Sequence, residues 1–295
     1  MMAATNLSHR RCRLLLPVAA AFSLIAVGVR AQQFPGERVG SEYELVRDQE
    51  TSEKGSNDST STSTDRDTLL ERVVETRANG LVLEYDLPKN ATADDRARSW
   101  QFPARLFLPD QGAAQLLNGS DLEARLDKWL KTGKIPRSAC GHWIFTWNAF
   151  KIECDPNSVL GTIDAFSVRR INLQDGAIYT DARALAPTTL KRTAAGPNSA
   201  TLVAEMKIDP EKVRRAQAES DVVVAEIMKK PTTLDDALKA RAGDLISGTM
   251  TITFNVDSTG ALRRRVTLTR LQTKRSSGVV EDRTVTETLD RKALH

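Results

Sequence analysis

The sequence predicts an α+β fold, in which antiparallel sheet packs with several amphipathic helices, and three observations lead to it. Apolar and polar residues alternate at period two in separate stretches, which marks strands; other stretches carry apolar residues three and four apart behind helix-starting residues. The two kinds do not follow one another in the regular order that forces a parallel sheet. A β-meander at the C-terminus and a disordered N-terminal tail complete the expectation.

The first 31 residues read as a secretory signal peptide. Arg10, Arg11 and Arg13 form a basic n-region, and Leu14 to Val29 is an uncharged apolar run interrupted by Pro17. That run is shorter than the roughly 20 residues of a membrane-spanning helix. It closes on Val29-Arg30-Ala31, so cleavage is expected before Gln32. Four of the 42 basic side chains and none of the 38 acidic ones lie in this leader, so the exported part is balanced in charge. A nucleic-acid partner is therefore not expected, and no later segment reads as a membrane span. The expected location is secreted or periplasmic.

From Gln32 to Asp67 the chain is acidic, Ser/Thr-rich and short of large apolar side chains, which predicts a disordered tail. Its net charge is opposite to that of Ala261 to His295 and could draw the tail there, but screening over about 8 Å favours two solvated segments. Beyond it, residues 68–195 are expected as an α+β domain and 196–295 as a helix pair with a β-meander, divided near Lys191 to Ser199 or sharing one fold.

Gly80 to Pro88 alternates Leu81, Leu83, Tyr85 and Leu87 against Val82, Glu84 and Asp86 and reads as a strand, as does Gln101 to Pro109. Ser120 is expected to cap a helix that places Leu122, Leu126, Trp129 and Leu130 on one face and stops at Gly133. Asp155-Pro156 and Asp209-Pro210 each pair an N-cap acceptor with proline at the first helical position, predicting helices to about Phe166 and Lys230. Thr233, with Asp236 behind it, caps a third. Residues 177–185 and 200–208 read as strands. Met250, Ile252, Phe254 and Val256 then alternate with threonines and asparagine; a turn at Asp257 to Gly260 and strands through Leu262 to Leu268 and Thr284 to Leu289 complete the meander.

The stretch from Ala139 to Pro156 concentrates two tryptophans, both cysteines outside the leader and the internal histidine His142. Cys140 and Cys154 cannot meet across an extended chain, whose rise of ~3.3 Å per residue far outruns the ~5.5 Å a disulfide needs. A fold-back at Asn148-Ala149 repairs this, pairing Trp147 with Phe150, Phe145 with Ile152 and Trp143 with Cys154. A Cys140–Cys154 disulfide is the expectation. The same residues admit a functional reading, with His142, Trp143 and Trp147 as candidates and Cys140/His142 as a nucleophile and base.

The catalytic inventory is otherwise thin. His142 and His295 are the histidines outside the leader, which leaves no multi-histidine metal site, and phosphate-binding glycine motifs and the nucleophile elbow are absent. No cofactor or metal is expected. The acidic pairs Asp94-Asp95 and Asp235-Asp236 sit at helix starts, where carboxylates favour the helix dipole. The sequence thus predicts an exported, non-catalytic envelope or periplasmic protein that binds a partner protein or an apolar ligand; the alternative is a periplasmic enzyme using Cys140/His142 or a carboxylate pair.

Overall fold

The computed structural model describes residues 37–56, 59–145, 149–169, 171–196 and 199–294. The segment expected as a signal peptide, Trp147 and the turn expected at Asn148 lie outside these residues. Two long strands, β1 (Glu42–Gly55) and β2 (Thr60–Arg77), lead into β3 (Gly80–Asp86), the short helix α1 (Ala93–Arg98), β4 (Ala104–Pro109) and β5 (Gln115–Leu116). Helix α2 (Gly119–Gly133), the hairpin strands β6 (Trp143–Phe145) and β7 (Ala149–Lys151), and α3 (Ser158–Asp164) follow. Short strands β8 (Ile178–Tyr179) and β9 (Thr188–Thr189) precede β10 (Lys191–Gly196) and β11 (Ser199–Lys207). The chain ends with α4 (Pro210–Ile227), α5 (Leu234–Ala240), β12 (Leu245–Asp257), β13 (Leu262–Lys274) and β14 (Val280–Leu294).

Ten strands form one antiparallel sheet in the order β10-β11-β12-β13-β14-β1-β2-β3-β4-β5. This corrects the α+β expectation: the architecture is a large antiparallel sheet with few helices. The source of the difference is the segment 42–67, expected as a disordered tail, which instead supplies β1 and the first half of β2. Its low hydrophobicity concealed a short period-two alternation, Tyr43 and Leu45 against Glu42 and Glu44, followed by a Thr-rich stretch that suits a pleated surface. β1 pairs with β14 from Glu42↔Leu294 to Gly55↔Glu281. The acidic segment therefore does lie on the basic C-terminal one, held by a backbone ladder that screening does not weaken. The region expected as an inter-domain boundary falls in the β10–β11 hairpin of this same sheet.

The C-terminal alternation works as the sequence indicates. Met250, Ile252, Phe254 and Val256 are buried on one face, here the inner face, opposite Thr269, Thr267, Arg265 and Leu262 of β13. On that face Leu202, Ala204 and Met206 of β11 and Leu45, Leu69, Leu81, Leu83 and Tyr85 from the other half join a core completed by Leu122, Leu126 and Leu130 of α2 and Val159 and Ile163 of α3. Val82, on the opposite side of β3, is also buried; it pairs with Phe107.

The helix starts divide. Asp209 accepts from Glu211 N–H at 3.0 Å with Pro210 opening α4, and Thr233 accepts from Asp236 N–H at 3.1 Å at the start of α5. Helix α2 instead begins behind Asn118 without a side-chain cap, because the Asn118 amide is used elsewhere, accepting from Arg105 N–H and donating to Pro103 O. Asp155 makes an Asx turn, accepting from Asn157 N–H at 2.9 Å, so α3 starts at Ser158. Of residues 177–185 only Ile178 and Tyr179 form a strand, with one further bridge from Ala184 to Ile208.

Candidate ligand-binding cleft

The cysteine hairpin keeps its fold-back but not its expected register. Trp143 pairs with Lys151, Ile144 with Phe150 and Phe145 with Ala149, rather than through a two-residue turn at Asn148-Ala149. The same ladder continues backwards through Ile152 N–H to His142 O at 2.9 Å and Gly141 N–H to Ile152 O at 2.8 Å. That register sets Cys140 opposite Cys154, in disulfide geometry with S–S 2.06 Å and Cα–Cα 5.5 Å. In this arrangement Cys140 has no free thiol, so the Cys140/His142 pair lacks its nucleophile. His142 is instead a surface side chain, 66% exposed, with Nδ1 3.2 Å from the Glu226 carboxylate. The same Glu226 oxygen accepts from Trp143 N–H at 3.2 Å, so the hairpin is clasped to the C-terminal end of α4.

The two acidic pairs act at helix starts. Asp95 closes a reciprocal capping box with Thr92, which draws its carboxyl below its ordinary range through hydrogen bonds from the Thr92 side chain and backbone. Asp236 accepts a hydrogen bond from the Thr233 hydroxyl. Among the described residues no group of three or more His, Cys, Asp or Glu is placed to hold a metal ion.

An almost completely buried charge cluster lies on the inner face. Glu71 receives Arg169 at 2.7 Å, Arg291 at 3.0 Å and the Tyr85 hydroxyl at 2.8 Å, while Glu37 meets the same two arginines at 3.1 and 2.9 Å. Burial pushes the Glu71 carboxyl up, but the two guanidinium groups and Tyr85 outweigh it and hold it at about 2. The Arg291 guanidinium also stacks on Tyr43, 3.4 Å from the ring centroid. Each arginine bridges both acids, so this cluster fastens strands together; among the described residues the second Glu37 oxygen, Oε2, is buried without a hydrogen-bond partner.

The inner face stays open elsewhere. Between α4 and strands β13, β14, β1 and β2 runs a cleft of about 730 Å³, within the usual range of small-molecule sites. Its floor follows from the register: Thr269 lies opposite Val285, Leu271 opposite Arg283 and Thr273 opposite Glu281, with Gln49, Glu53 and Ser61 continuing the surface across β1 and β2. Its wall is one side of α4, where Lys212, Val213, Ala216, Gln217 and Ser220 recur at helical spacing. Gly248, on the adjacent strand, has no room for a side chain: a Cβ there would lie 2.5 Å from Arg270 O and 2.7 Å from Leu271 Cδ2.

The electrostatics of the cleft are asymmetric. Among its described lining residues six are cationic and three acidic. Glu281 neutralises Arg275 through two 3.0 Å hydrogen bonds, and Glu53 meets Arg283 at 3.3 Å. Arg183, Lys212 and Arg241 are held by Asp181, Asp209 and Asp221, acids that are not themselves part of the lining. Hydrogen bonding and charge from Asp181 raise the Arg183 guanidinium above its ordinary value against the opposing effect of burial. The floor therefore joins hydroxyl-bearing Thr269 and Thr273 to an apolar streak through Leu271 and Val285.

None of the residues singled out from the sequence lines this cleft. The α4 positions were legible as one face of a predicted helix. Those of β1 and β2 were hidden in the supposed tail, and Arg183 carried no local signal.

Among the described residues no helix is long and apolar enough to cross a membrane. No protein-family model and no curated protein matches the chain. Among solved structures, one concerning lipid–protein interactions in lipovitellin is similar over 86% of this chain and 25% of that one, with a TM-score of 0.37 and 10% identity; this chain thus spans about a quarter of it. Ail, the attachment invasion locus protein of Yersinia pestis, is similar over 86% of this chain and 99% of its own, with a TM-score of 0.16 and 5% identity. An outer membrane channel from Pseudomonas putida F1 covers 87% and 97%, with a TM-score of 0.20 and 8% identity. Similarity at this level assigns the chain to no family and carries no functional argument.

Proposed function

We propose that this chain is an exported, non-catalytic binding protein whose ligand lies in the cleft between α4 and the inner face of the sheet. The observation that carries the reading is the lining itself: Leu271, Val285, Val213 and Ala216 offer an apolar streak beside Thr269, Thr273 and Gln217. Such a surface suits an amphipathic ligand better than a wholly apolar one, whose burial would strip water from the hydroxyls without replacing their hydrogen bonds. The basic leader with its apolar run, and a cysteine pair in disulfide geometry, support export to an oxidising compartment. Use of the acidic pairs at helix starts and of Glu71 in locking strands, with Cys140 bridged, supports the absence of catalysis.

The test is titration with 1-anilinonaphthalene-8-sulfonate, an amphipathic dye that brightens on leaving water. The wild-type chain is expected to saturate with one dye per molecule. Ala216→Trp, a change on an exposed position of α4, is expected to fill the cleft and abolish the signal while leaving the circular dichroism spectrum intact. Undiminished dye binding by the folded variant would place the dye elsewhere and refute the reading.

A further inference from the structure

We infer that the ligand is a single-chain anionic amphiphile, with its head group at the α4 N-terminal end of the cleft; this rests on the cleft being the binding site. Charge complementarity and the order of residues along the cleft favour such a ligand. At that end Arg183 and Lys212 stand on adjacent segments, joined through Lys212 Nζ to Ala184 O at 3.3 Å and Asp209 N–H to Arg183 O at 2.9 Å.

Each cation faces outward from a more buried acid. The Arg183 side chain is 53% exposed and Asp181 14%; for Lys212 and Asp209 the values are 52% and 19%. Both cations line the cleft while their acids do not, and Asp181 takes Arg183 through Nε and Nη2, so Nη1 of Arg183 and the Lys212 ammonium are placed to give a carboxylate or phosphate charge-assisted hydrogen bonds. A cationic head group would meet the same two side chains and be repelled. From this end Val213 and Ala216 lead along α4, facing Leu271 and Val285 on the floor, an apolar track for one chain. A second chain has no comparable track, because the far end closes with Thr273, Gln217 and Arg241, linked by hydrogen bonds from Gln217 to Thr273 at 3.4 Å and from Arg241 to Gln217 at 3.1 Å.

The head group could be the carboxylate of a fatty acid or the phosphate of a monoacyl lipid. The experiment compares dodecanoate, dodecyl phosphate, dodecanol and dodecyltrimethylammonium, each below its micelle concentration, as competitors of the bound dye on the full exported chain. The expected result is that one or both anions displace the dye about tenfold more effectively than dodecanol, and that the cation does not compete. The stronger anion identifies the head group. Lys212→Gln is expected to bring the anions toward dodecanol without changing dodecanol itself, and Arg183→Lys, which keeps the charge, to retain the preference. Equal displacement by all four probes, or preference for the cation, overturns the inference while leaving the cleft as the site. Failure of every probe to displace a dye that Ala216→Trp excludes also overturns it. A dye that does not bind the cleft at all removes the underlying reading instead.

Discussion

Glu71 of β2 and Arg169, 98 residues further along the chain, meet at 2.7 Å with both side chains almost completely buried. Arg291 of β14 completes the grip on the same carboxylate, so one acid ties the segment after α3 to the two strands that flank β1. Removing one member of such a cluster leaves opposite charge buried without its partner. Glu71→Gln is therefore expected to cost about 3–5 kcal/mol in denaturant unfolding. A loss below about 1 kcal/mol would mean that the arginines find other partners.

The same carboxyl makes stability depend on pH. Its folded value is about 2 against an ordinary 4.5, so its contribution is complete above pH 4.5 and disappears as pH falls through the interval down to 2. The contribution amounts to about 3 kcal/mol. Unfolding curves measured between pH 6 and pH 2.5 are expected to converge for wild type and Glu71→Gln as acid is added. A gap that stays constant across this interval would assign the acid sensitivity to other groups.

The hairpin predicts a redox result. Alkylation without reduction of the protein expressed with its leader is expected to add no label to Cys140 or Cys154, and the intact mass to start near Gln32. Replacing both cysteines by serine is expected to cost about 3 kcal/mol, the chain-entropy value for a closed loop of about 15 residues. Two labels on the folded protein would restore Cys140 as a free thiol beside His142.

Gly248 packs against Leu271, which lines the cleft. Adding a methyl group there forces β12 away from β13, because the nearest obstacle is backbone, so Gly248→Ala is expected to destabilise by about 1–3 kcal/mol and to weaken dye binding. Thr249→Ala, one residue on and pointing from the outer face, is the control and is expected to stay within about 0.5 kcal/mol of wild type in a thermal melt. Equal effects of the two substitutions would show that the close approach at Gly248 is relieved without strain.

How much of this was legible in the sequence depends on whether the determining contacts are local. The inward set Met250, Ile252, Phe254 and Val256, the apolar face of α2 and the caps at Asp209 and Thr233 all rest on neighbours within a few residues, and they are where the pattern places them. The strands β1 and β2 escaped because most of their side chains are polar, and their ladder with β14 joins opposite ends of the chain. The cysteine pair was legible, while its hairpin register was not: apolar parity pointed to one pairing, and the alignment of Cys140 with Cys154 belongs to another. The cleft has no signature of its own, since its lining is assembled from α4, four strands and the loop carrying Arg183.

The central claim, that a ligand lies between α4 and the inner sheet face, is tested most directly by photolabelling with a diazirine-bearing dodecanoate followed by residue mapping. The account predicts labels on the α4 stretch from Val213 to Ser220 and on Leu271 and Val285, suppressed by unlabelled competitor and by Ala216→Trp. Labels spread over exposed apolar positions such as Leu185 and Leu245, and insensitive to competitor, would contradict it.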